Sequence, residues 1–414
     1  MFYPLPLLND ALEKLPVEKC LRVGRPEKIL PNLRRYMLSY KAKTALGKKL
    51  EEIEERIGRL KRKKIDLLRH QSWLRKERRK TPWGGSIFRV KNDLSRVNKE
   101  LAQLFSTRNE WLKSESEKLV IQTPIIGSTL IKSQLYPLTG IRFNTVFIDE
   151  CSQASITLAL LGMVKANKWV LIGDHKQLLP IFKTIRNDEY QERLSAFVHL
   201  LMKYGKRSLW LKIHYHSNSE IIGFSSKYIY EGMVWPNQKC MGLKLKFERP
   251  TKLELLEPEK PVVFVHCRGE SRRDEKSLYN EAELMVCTEI VEELLRAGVK
   301  PKNIGIITPY RSQRRRLTSK IREEKLEINT VDAFQGREKD VIIFSITATT
   351  PSALRFASNP NRLNVAFTRP KYKLIVVGNG KAIVENKNLL LYKFLDYVYE
   401  RDAIFDWDRK CWLR

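Results

Sequence analysis

The cysteines of this 414-residue chain show none of the spacings that bind zinc or build a disulfide framework. The six of them stand at positions 20, 151, 240, 267, 287 and 411, and no two form a Cys-x-x-Cys pair. Scattered single cysteines are typical of proteins that work in a reducing compartment. We therefore expect an intracellular protein with neither a zinc centre nor a secreted-type disulfide framework.

Long apolar runs and a leader sequence are also lacking. The longest apolar stretches, such as residues 156–164, fall far short of the roughly 20 residues that cross a bilayer. The first residues, Met-Phe-Tyr-Pro, lack the basic start and apolar core of a signal peptide. From these absences we expect a soluble, cytoplasmic protein that has no membrane partner.

Acidic residues are scarce relative to basic ones. Asp and Glu number 47 against 77 Lys and Arg, which gives a formal net charge of +30 at pH 7. A surplus of this size is typical of proteins that bind a polyanion such as nucleic acid. Solvated helix faces rich in lysine produce the same surplus, so the charge alone leaves both interpretations open.

The length and the apolar pattern predict an α/β protein of at least two domains. A chain of 414 residues exceeds the size at which one core stops growing. After residue 118, short apolar runs alternate with helical patterns such as residues 280–297, which predicts parallel strands. The predicted strands are residues 119–122, 145–148, 169–172, 208–212, 262–265, 303–307, 341–347 and 373–377. A polar linker, residues 241–260, is predicted to join one lobe (1–43 and 119–240) to a second (261–414).

Residues 44–118 instead have helical periodicity. Apolar residues recur at helical spacing in two segments, which Thr-Pro-Trp-Gly-Gly-Ser separates at residues 81–86. We predict two long helices that form an antiparallel hairpin arm inserted in the first lobe. The first helix is dense in cations, and its candidate nucleic-acid ligands are Lys61, Arg62, Lys63 and Lys64. A solvated coiled-coil face would show the same pattern.

Two of the predicted strands end in acidic turns. Asp149 and Glu150 follow residues 145–148, and Gly-Asp-His-Lys-Gln follows the strand at 169–172. Because the carboxyl ends of parallel strands meet at one edge of a sheet, we expect both turns there. One carboxylate can hold Mg²⁺ while its neighbour orients an attacking water, and Gln177 can reach a γ-phosphate. Each turn by itself is also common in ordinary βα units.

Taken together, these turns resemble the motifs of a known family. Asp-Glu-x-x-Gln at 149–153 and Gly-Asp-x-x-Gln-Leu-x-Pro at 173–180 resemble motifs II and III of superfamily 1B helicases, the nonsense-mediated-decay and replication class. Residues 303–313 resemble the start of that family's second lobe, 329–342 its motif V and 361–370 its motif VI. The resemblance covers most of residues 119–380, and residues 21–27 resemble the stretch after motif Ia. It implies two RecA-like parallel-sheet lobes, the first incomplete at its N-terminal side, with ATP in the cleft and a single strand across both.

The resemblance also implies roles for individual residues. Asp149 would bind Mg²⁺, Glu150 would position the attacking water, and Gln177 would sense the γ-phosphate. Arg369 would be the arginine finger, a role worth about 10³–10⁵ in rate. The other cofactor-binding candidates are Gln153, Asp174, Gln335, Gly336 and Glu338, with Glu338 at the ribose. The other nucleic-acid candidates are Thr123, Thr308, Pro309 and Tyr310.

The chain departs from the family pattern in two places. No Gly-x-x-x-x-Gly-Lys-Ser/Thr occurs in it, although this P-loop holds the phosphates of ATP. The family has that loop ahead of motif Ia, so we expect it on an upstream polypeptide or ahead of a mis-assigned start. The second departure is at residues 214–216, where the family's Gln-Tyr-Arg reads His-Tyr-His. A neutral imidazole at His216 cannot replace a permanent bidentate cation, which predicts a degraded or repurposed position rather than a metal ligand.

Three functions therefore remain open from the sequence. The first is an ATP- and Mg²⁺-dependent helicase or translocase that moves 5′ to 3′, a polarity implied by the resemblance alone. The second is a single-strand binding module that does not hydrolyse ATP. The third is a truncated, inactive remnant. The sequence does not distinguish a DNA substrate from RNA, because backbone and stacking contacts are largely blind to the base.

Overall fold

The computed structural model describes residues 14–25, 31–77, 84–182, 185 and 188–413. Residues 81–83 of the predicted hairpin turn lie outside this part of the chain. The chain divides into two compact units, one of residues 1–144 and 161–167, the other of residues 145–160 and 168–414. Within the described ranges, no helix has both the length and the apolar character needed to cross a membrane.

The first unit combines a small parallel sheet with two very long helices. Its elements are β1 (Cys20–Val23), α1 (Leu38–Glu77), α2 (Gly84–Gln122) and β2 (Ile125–Ser128). Strands β1 and β2 pair in parallel. Helix α1 bends at Gly47, whose φ of 44° and ψ of −124° lie where only glycine is unstrained.

Helices α1 and α2 form the predicted hairpin arm. A buried apolar seam made of Leu50, Ile53, Ile57, Val97 and Leu101 joins them. The guanidinium of Arg56 also binds Glu100 across the seam at 2.6 Å. The prediction of an inserted helical hairpin is therefore confirmed.

The strand predicted at residues 119–122 is wrong, because α2 continues to Gln122. Val120 is buried on the helix against Leu21 and Val23 of β1. A short apolar run can fill either a buried strand or one buried turn of a helix, and its periodicity does not separate the two. The long helical pattern before it decides for the helix.

Strands β3 (Phe143–Ile148) and β4 (Ala166–Leu171) carry the two predicted acidic turns, with α3 (Ile156–Met163) between them. At their start the N–H of Phe143 donates to the carbonyl of Lys165 at 2.8 Å, and at their end the N–H of Ile172 donates to that of Ile148 at 2.9 Å. The strands therefore run in the same direction. Both acidic turns leave the same edge of this sheet.

The elements that follow are short. They are α4 (Asp188–Arg193), α5 (Ala196–Tyr204), β5 (Ile213–His214), α6 (Ser219–Tyr228) and β6 (Trp235–Pro236). The strand predicted at residues 208–212 is wrong, since only Ile213 and His214 pair, with β6. Leu209 and Leu211 are 97% and 92% exposed, so their apolar character does not reflect burial in a strand.

The rest of the second unit is built on a seven-stranded sheet with helices on both faces. Its elements are β7 (Val262–His266), β8 (Arg272–Asp274), β9 (Ser277–Tyr279), α7 (Glu281–Arg296), β10 (Ile304–Thr308), α8 (Arg311–Lys320), β11 (Glu327–Thr330), α9 (Val331–Phe334), β12 (Lys339–Ser345), α10 (Pro351–Ala357), α11 (Pro360–Phe367), β13 (Pro370–Gly378), α12 (Gly380–Val384), α13 (Leu390–Tyr399), β14 (Ile404–Asp406) and β15 (Cys411–Leu413). The sheet order is β11-β10-β12-β13-β7-β14-β15, and only β15 is antiparallel.

Alternate residues of each strand pack into opposite faces of this sheet. On β7, Val262 and Phe264 join the apolar core that contains α6, α11 and α13. Val263 and Val265 join the core that contains α7 and α8. Continuous burial of this kind is expected for a parallel strand covered on both faces. The α/β class is confirmed, together with the strands predicted at 262–265, 303–307, 341–347 and 373–377.

A buried glutamate braces the ends of the central strands. Ser345 donates its hydroxyl to Oε2 of Glu283 at 2.6 Å, and the N–H of Thr347 donates to the same oxygen at 2.8 Å. The hydroxyl of Thr347 lies 3.1 Å from that of Thr308, at the end of β10. Burial raises the pKa of Glu283 to about 8, against the opposite effect of the bonds from Ser345 and Thr347.

The raised pKa of Glu283 predicts a specific dependence of stability on pH. Protonation favours the folded state, so this contribution is complete below the unfolded pKa of 4.5 and is lost as pH rises through about 8. Glu283→Gln keeps the shape and removes the titration. The free energy of unfolding of the wild type, measured in urea, should fall relative to that of the variant between these pH values. A constant difference across that range would contradict the assignment.

Candidate active site

The turn after β3 holds the first acidic pair. Glu150 has φ 51° and ψ 36°, a left-handed conformation that is rare outside glycine and often occurs at functional sites. Its N–H donates to Oδ1 of Asp149 at 3.0 Å. The N–H of Cys151 donates to the carbonyl of Ile172 at 2.8 Å, which ties the turn to the end of β4. Neighbouring strands therefore hold both acids in place.

The carboxylate of Glu150 is bound by two glutamines from distant parts of the sequence. Gln153 donates to Oε2 at 3.0 Å, and Gln335, which follows α9, donates to the same oxygen at 3.2 Å. Burial raises the pKa of Glu150, the bond from Gln153 lowers it, Asp149 raises it and Arg369 lowers it. A carboxylate with a raised pKa is suited to accept a proton from water.

Asp174 is the centre of the second acidic turn. Its Oδ1 accepts the N–H of Lys176 at 2.9 Å. Its Oδ2 accepts both the amide of Gln177 at 2.9 Å and the hydroxyl of Tyr230 at 2.6 Å. Asp174 thus holds the side chain of Gln177 at a defined position.

Arg369 lies between α11 and β13 and is held by its own helix. Its Nε donates to the carbonyl of Val365 at 2.9 Å, and its Nη2 to the hydroxyl of Thr368 at 3.0 Å. Burial lowers the pKa of Arg369, while the nearby acidic groups, Glu338 first and then Tyr230, Glu150 and Asp174, raise it. The structure therefore brings Arg369 into the electrostatic neighbourhood of both acidic turns.

His216 lies against Glu338. Its Nδ1 is 3.1 Å from Oε2 of Glu338, whose side chain is otherwise mostly exposed. Burial lowers the pKa of His216, and Glu338 acts in the opposite direction. Burial also lowers the pKa of His214, to about 4, and its Nε2 accepts the N–H of Ser217 at 2.8 Å. A largely neutral imidazole thus stands where the family pattern has an arginine.

The candidate nucleic-acid residues fall into two groups. Thr308, Pro309 and Tyr310 follow β10 in the second unit, and Tyr310 packs 5.5 Å from Phe356 of α10 and donates to the carbonyl of Ala353. The other group is in the first unit. There Thr123 caps the end of α2, and α1 carries the exposed Lys61, Arg62 and Lys63 and the half-buried Lys64.

Three residues of this site were missed as candidates from the sequence. Asn361 and Asn364, three residues apart on α11, donate to the backbone of the turn that Asp174 begins. Tyr230 donates to Asp174 itself. All three lie within segments that resemble the family. The available signal was the Asn-x-x-Asn spacing, which puts two amides on one helix face.

The donor set fits a magnesium nucleotide better than a bare metal ion. Asp149 offers a carboxylate at a strand end, and the described ranges contain no cluster of three or more His, Cys, Asp or Glu that could bind a metal. Mg²⁺ is commonly held by one or two carboxylates together with phosphate oxygens and water. In the same part of the chain, the buried Oε1 of Gln335 has no hydrogen-bond partner, so the site retains an unused acceptor.

Several known proteins are similar to this chain in sequence. Two protein-family models, each described as an AAA domain, match residues 6–184 and 193–381. An uncharacterized ATP-dependent helicase of Methanocaldococcus jannaschii is 30% identical over 92% of this chain and 60% of that protein. A Drosophila melanogaster regulator of nonsense transcripts 1 homolog is 30% identical over 74% of this chain, and the Saccharomyces cerevisiae ATP-dependent helicase NAM7 is 35% identical over 61%, each across 27% of the relative.

The chain therefore spans 60% of the first of these relatives and 27% of the other two. The two matched domains cover most of the chain and contain both acidic turns and Arg369. The helicase relatives and the ordered motifs agree on a single class. The chain falls in the helicase class of these relatives, and its ordered motifs resemble those of superfamily 1B helicases.

Proposed function

We propose that this chain forms the larger part of an ATP-driven motor that translocates along single-stranded DNA or RNA, moving 5′ to 3′ by family resemblance. The observation that carries the proposal is the carboxylate of Glu150, held by Gln153 and Gln335 at the sheet edge near Arg369. Hydrolysis of a nucleoside triphosphate requires a base that accepts a proton from the attacking water and a cation that neutralises the charge developing on the phosphate. In this arrangement Glu150 would be the base and Arg369 the cation.

ATP with Mg²⁺ supplies the phosphoryl group and a cation that neutralises its charge. Asp149 would hold the cation, and Glu150 would accept the proton of the attacking water. Gln177 would contact the γ-phosphate, and Arg369 would neutralise charge on it. The remaining cofactor-binding candidates support these groups: Gln153 and Gln335 orient Glu150, and Asp174 holds Gln177. Gly336, with φ 73°, allows the turn that leads to Glu338.

Replacing the proposed base tests this mechanism directly. Glu150→Gln should lower kcat for ATP hydrolysis by about 10²–10⁴-fold, because the amide cannot accept the proton. The assay uses the protein together with its source of the P-loop, and binding of single strands should not change. Glu289→Gln, an exposed glutamate on α7, is the matched control. Undiminished Mg-ATP turnover in Glu150→Gln would remove Glu150 from the chemistry.

We further propose that another polypeptide segment, upstream or separate, supplies the P-loop that these 414 residues lack. Large exposed apolar side chains support this, one of them on β3. Phe147 on β3 is 68% exposed, and Leu209 and Leu211 before β5 are almost fully exposed. Exposed apolar side chains at the strands of an α/β sheet are typical of surfaces that another element covers.

Intact-mass measurement of the native protein tests the origin of the P-loop. We expect either a mass above the 48.6 kDa of this chain or a co-purifying chain with Gly-x-x-x-x-Gly-Lys-Ser/Thr. Leu209→Ser with Leu211→Ser should weaken that association in the second case. A native mass of 48.6 kDa with no such partner would exclude the P-loop proposal.

The net charge of +30 favours a second candidate, a single-strand binding module that does not hydrolyse ATP. The affinity of such a module for single strands would fall steeply as the salt concentration rises. The same salt dependence is expected of the motor, so it does not separate the two candidates. ATP turnover that Glu150→Gln abolishes would exclude the binding module. Binding to DNA and RNA oligonucleotides of one sequence, measured in parallel, decides between the two substrates.

The arm gives a prediction about nucleic-acid binding itself. Arg62→Gln with Lys63→Gln should weaken single-strand binding and reduce the slope of log affinity against log salt by about 0.7 for each lost phosphate contact. Both side chains are exposed, so folding should be unaffected. Lys300→Gln with Lys325→Gln, also exposed, is the charge-matched control. An unchanged slope in the arm variant would exclude these two cations from the interface.

A further inference from the structure

Two side chains of helix α11 bind the backbone of the turn that follows β4. Asn361 and Asn364 donate side-chain N–H groups to three consecutive carbonyls of that turn. Asn361 bonds His175 at 3.0 Å and also Gln177, and Asn364 bonds Lys176 at 2.9 Å. The turn that bears Gln177 is therefore attached to the helix that leads to Arg369.

Tyr230, which follows α6, binds both the turn and helix α11. Its hydroxyl donates to Oδ2 of Asp174 at 2.6 Å and accepts the amide N–H of Asn364 at 2.7 Å. Only 6% of the residue is exposed. Burial raises its pKa, so the phenol keeps its proton and remains a donor to Asp174.

The amide of Gln177 shares an acceptor with Tyr230. Its Nε2 donates to the same Oδ2 of Asp174 at 2.9 Å. The side-chain amide of Gln177 carries two N–H groups, so one can stay on Asp174 while the other donates to a phosphate oxygen. Tyr230 keeps Asp174 in place, and Asn361 and Asn364 hold the backbone of the turn on α11.

We propose that Tyr230 is a positioning residue for ATP hydrolysis, whose hydroxyl between Asp174 and Asn364 holds the Gln177 turn on α11 so that Gln177 and Arg369 act on one phosphate together. The inference rests on the proposed motor function. It assigns a role to a tyrosine whose hydroxyl bonds Asp174 and Asn364. Its effect falls on the alignment of other groups.

The test removes the hydroxyl alone. Tyr230→Phe should lower kcat about tenfold and leave KM for ATP within about twofold, because misalignment weakens the transition state more than substrate binding. Tyr397→Phe is the matched control, since it removes another buried hydroxyl, one that donates to the carbonyl of Glu220 at 2.7 Å. Its kcat should stay within about twofold of the wild type.

A second variant separates positioning from loss of stability. In a Gln177→Ala background, Tyr230→Phe should cause little further loss of kcat, because Tyr230 acts through Gln177. Multiplicative losses in the double variant, or a kcat of Tyr230→Phe within twofold of the wild type, would overturn the inference.

Hydrogen exchange provides a readout that needs no turnover. Amides of residues 174–178 should exchange faster in Tyr230→Phe than in Tyr397→Phe, and equal rates would show that Tyr230 does not hold the turn. A wild-type protein that never hydrolyses ATP would instead remove the proposed function. Normal wild-type turnover with an unaffected Tyr230→Phe would remove the positioning role alone.

Discussion

The site depends on how one half-buried carboxylate is held. Glu150 is partly withdrawn from water, which raises its pKa, and its Oε2 accepts amide N–H groups from Gln153 and Gln335. A buried carboxylate without such donors would be costly, and one with stronger donors would be a poor base. Because Gln335 is 185 residues away in the sequence, the second sheet must be folded before this balance exists.

Neutral side chains also hold other groups of the site by hydrogen bonds. Asn361 and Asn364 bind backbone carbonyls, and Gln177 and Tyr230 bind Asp174. Neutral donors of this kind fix geometry without adding charge beside the proposed phosphate-binding site. The seven-stranded sheet supports them, since its strands are buried on both faces and α11 packs on one of these.

Around His216 the sequence departs from the family pattern. The permanent cation of the family pattern is replaced by an imidazole that contacts Glu338, and burial lowers its pKa. Arg369 remains nearby as a guanidinium held by its own helix. Arg369 is thus a permanent cation close to His216, where the family pattern has an arginine.

Much of this protein could be read from its sequence, because strand ends and helical periodicity are local patterns. The acids after β3 and β4, the hairpin arm and four strands of the seven-stranded sheet, β7, β10, β12 and β13, were predicted, whereas β11, β14 and β15 were not. The runs at 119–122 and 208–212 were assigned wrongly, since burial decides between helix, strand and loop for short apolar runs. Only the tertiary structure decided which groups bind the acids. Tyr230 meets Asp174 across 56 residues of sequence, because helix packing, and not spacing, selects hydrogen-bond partners.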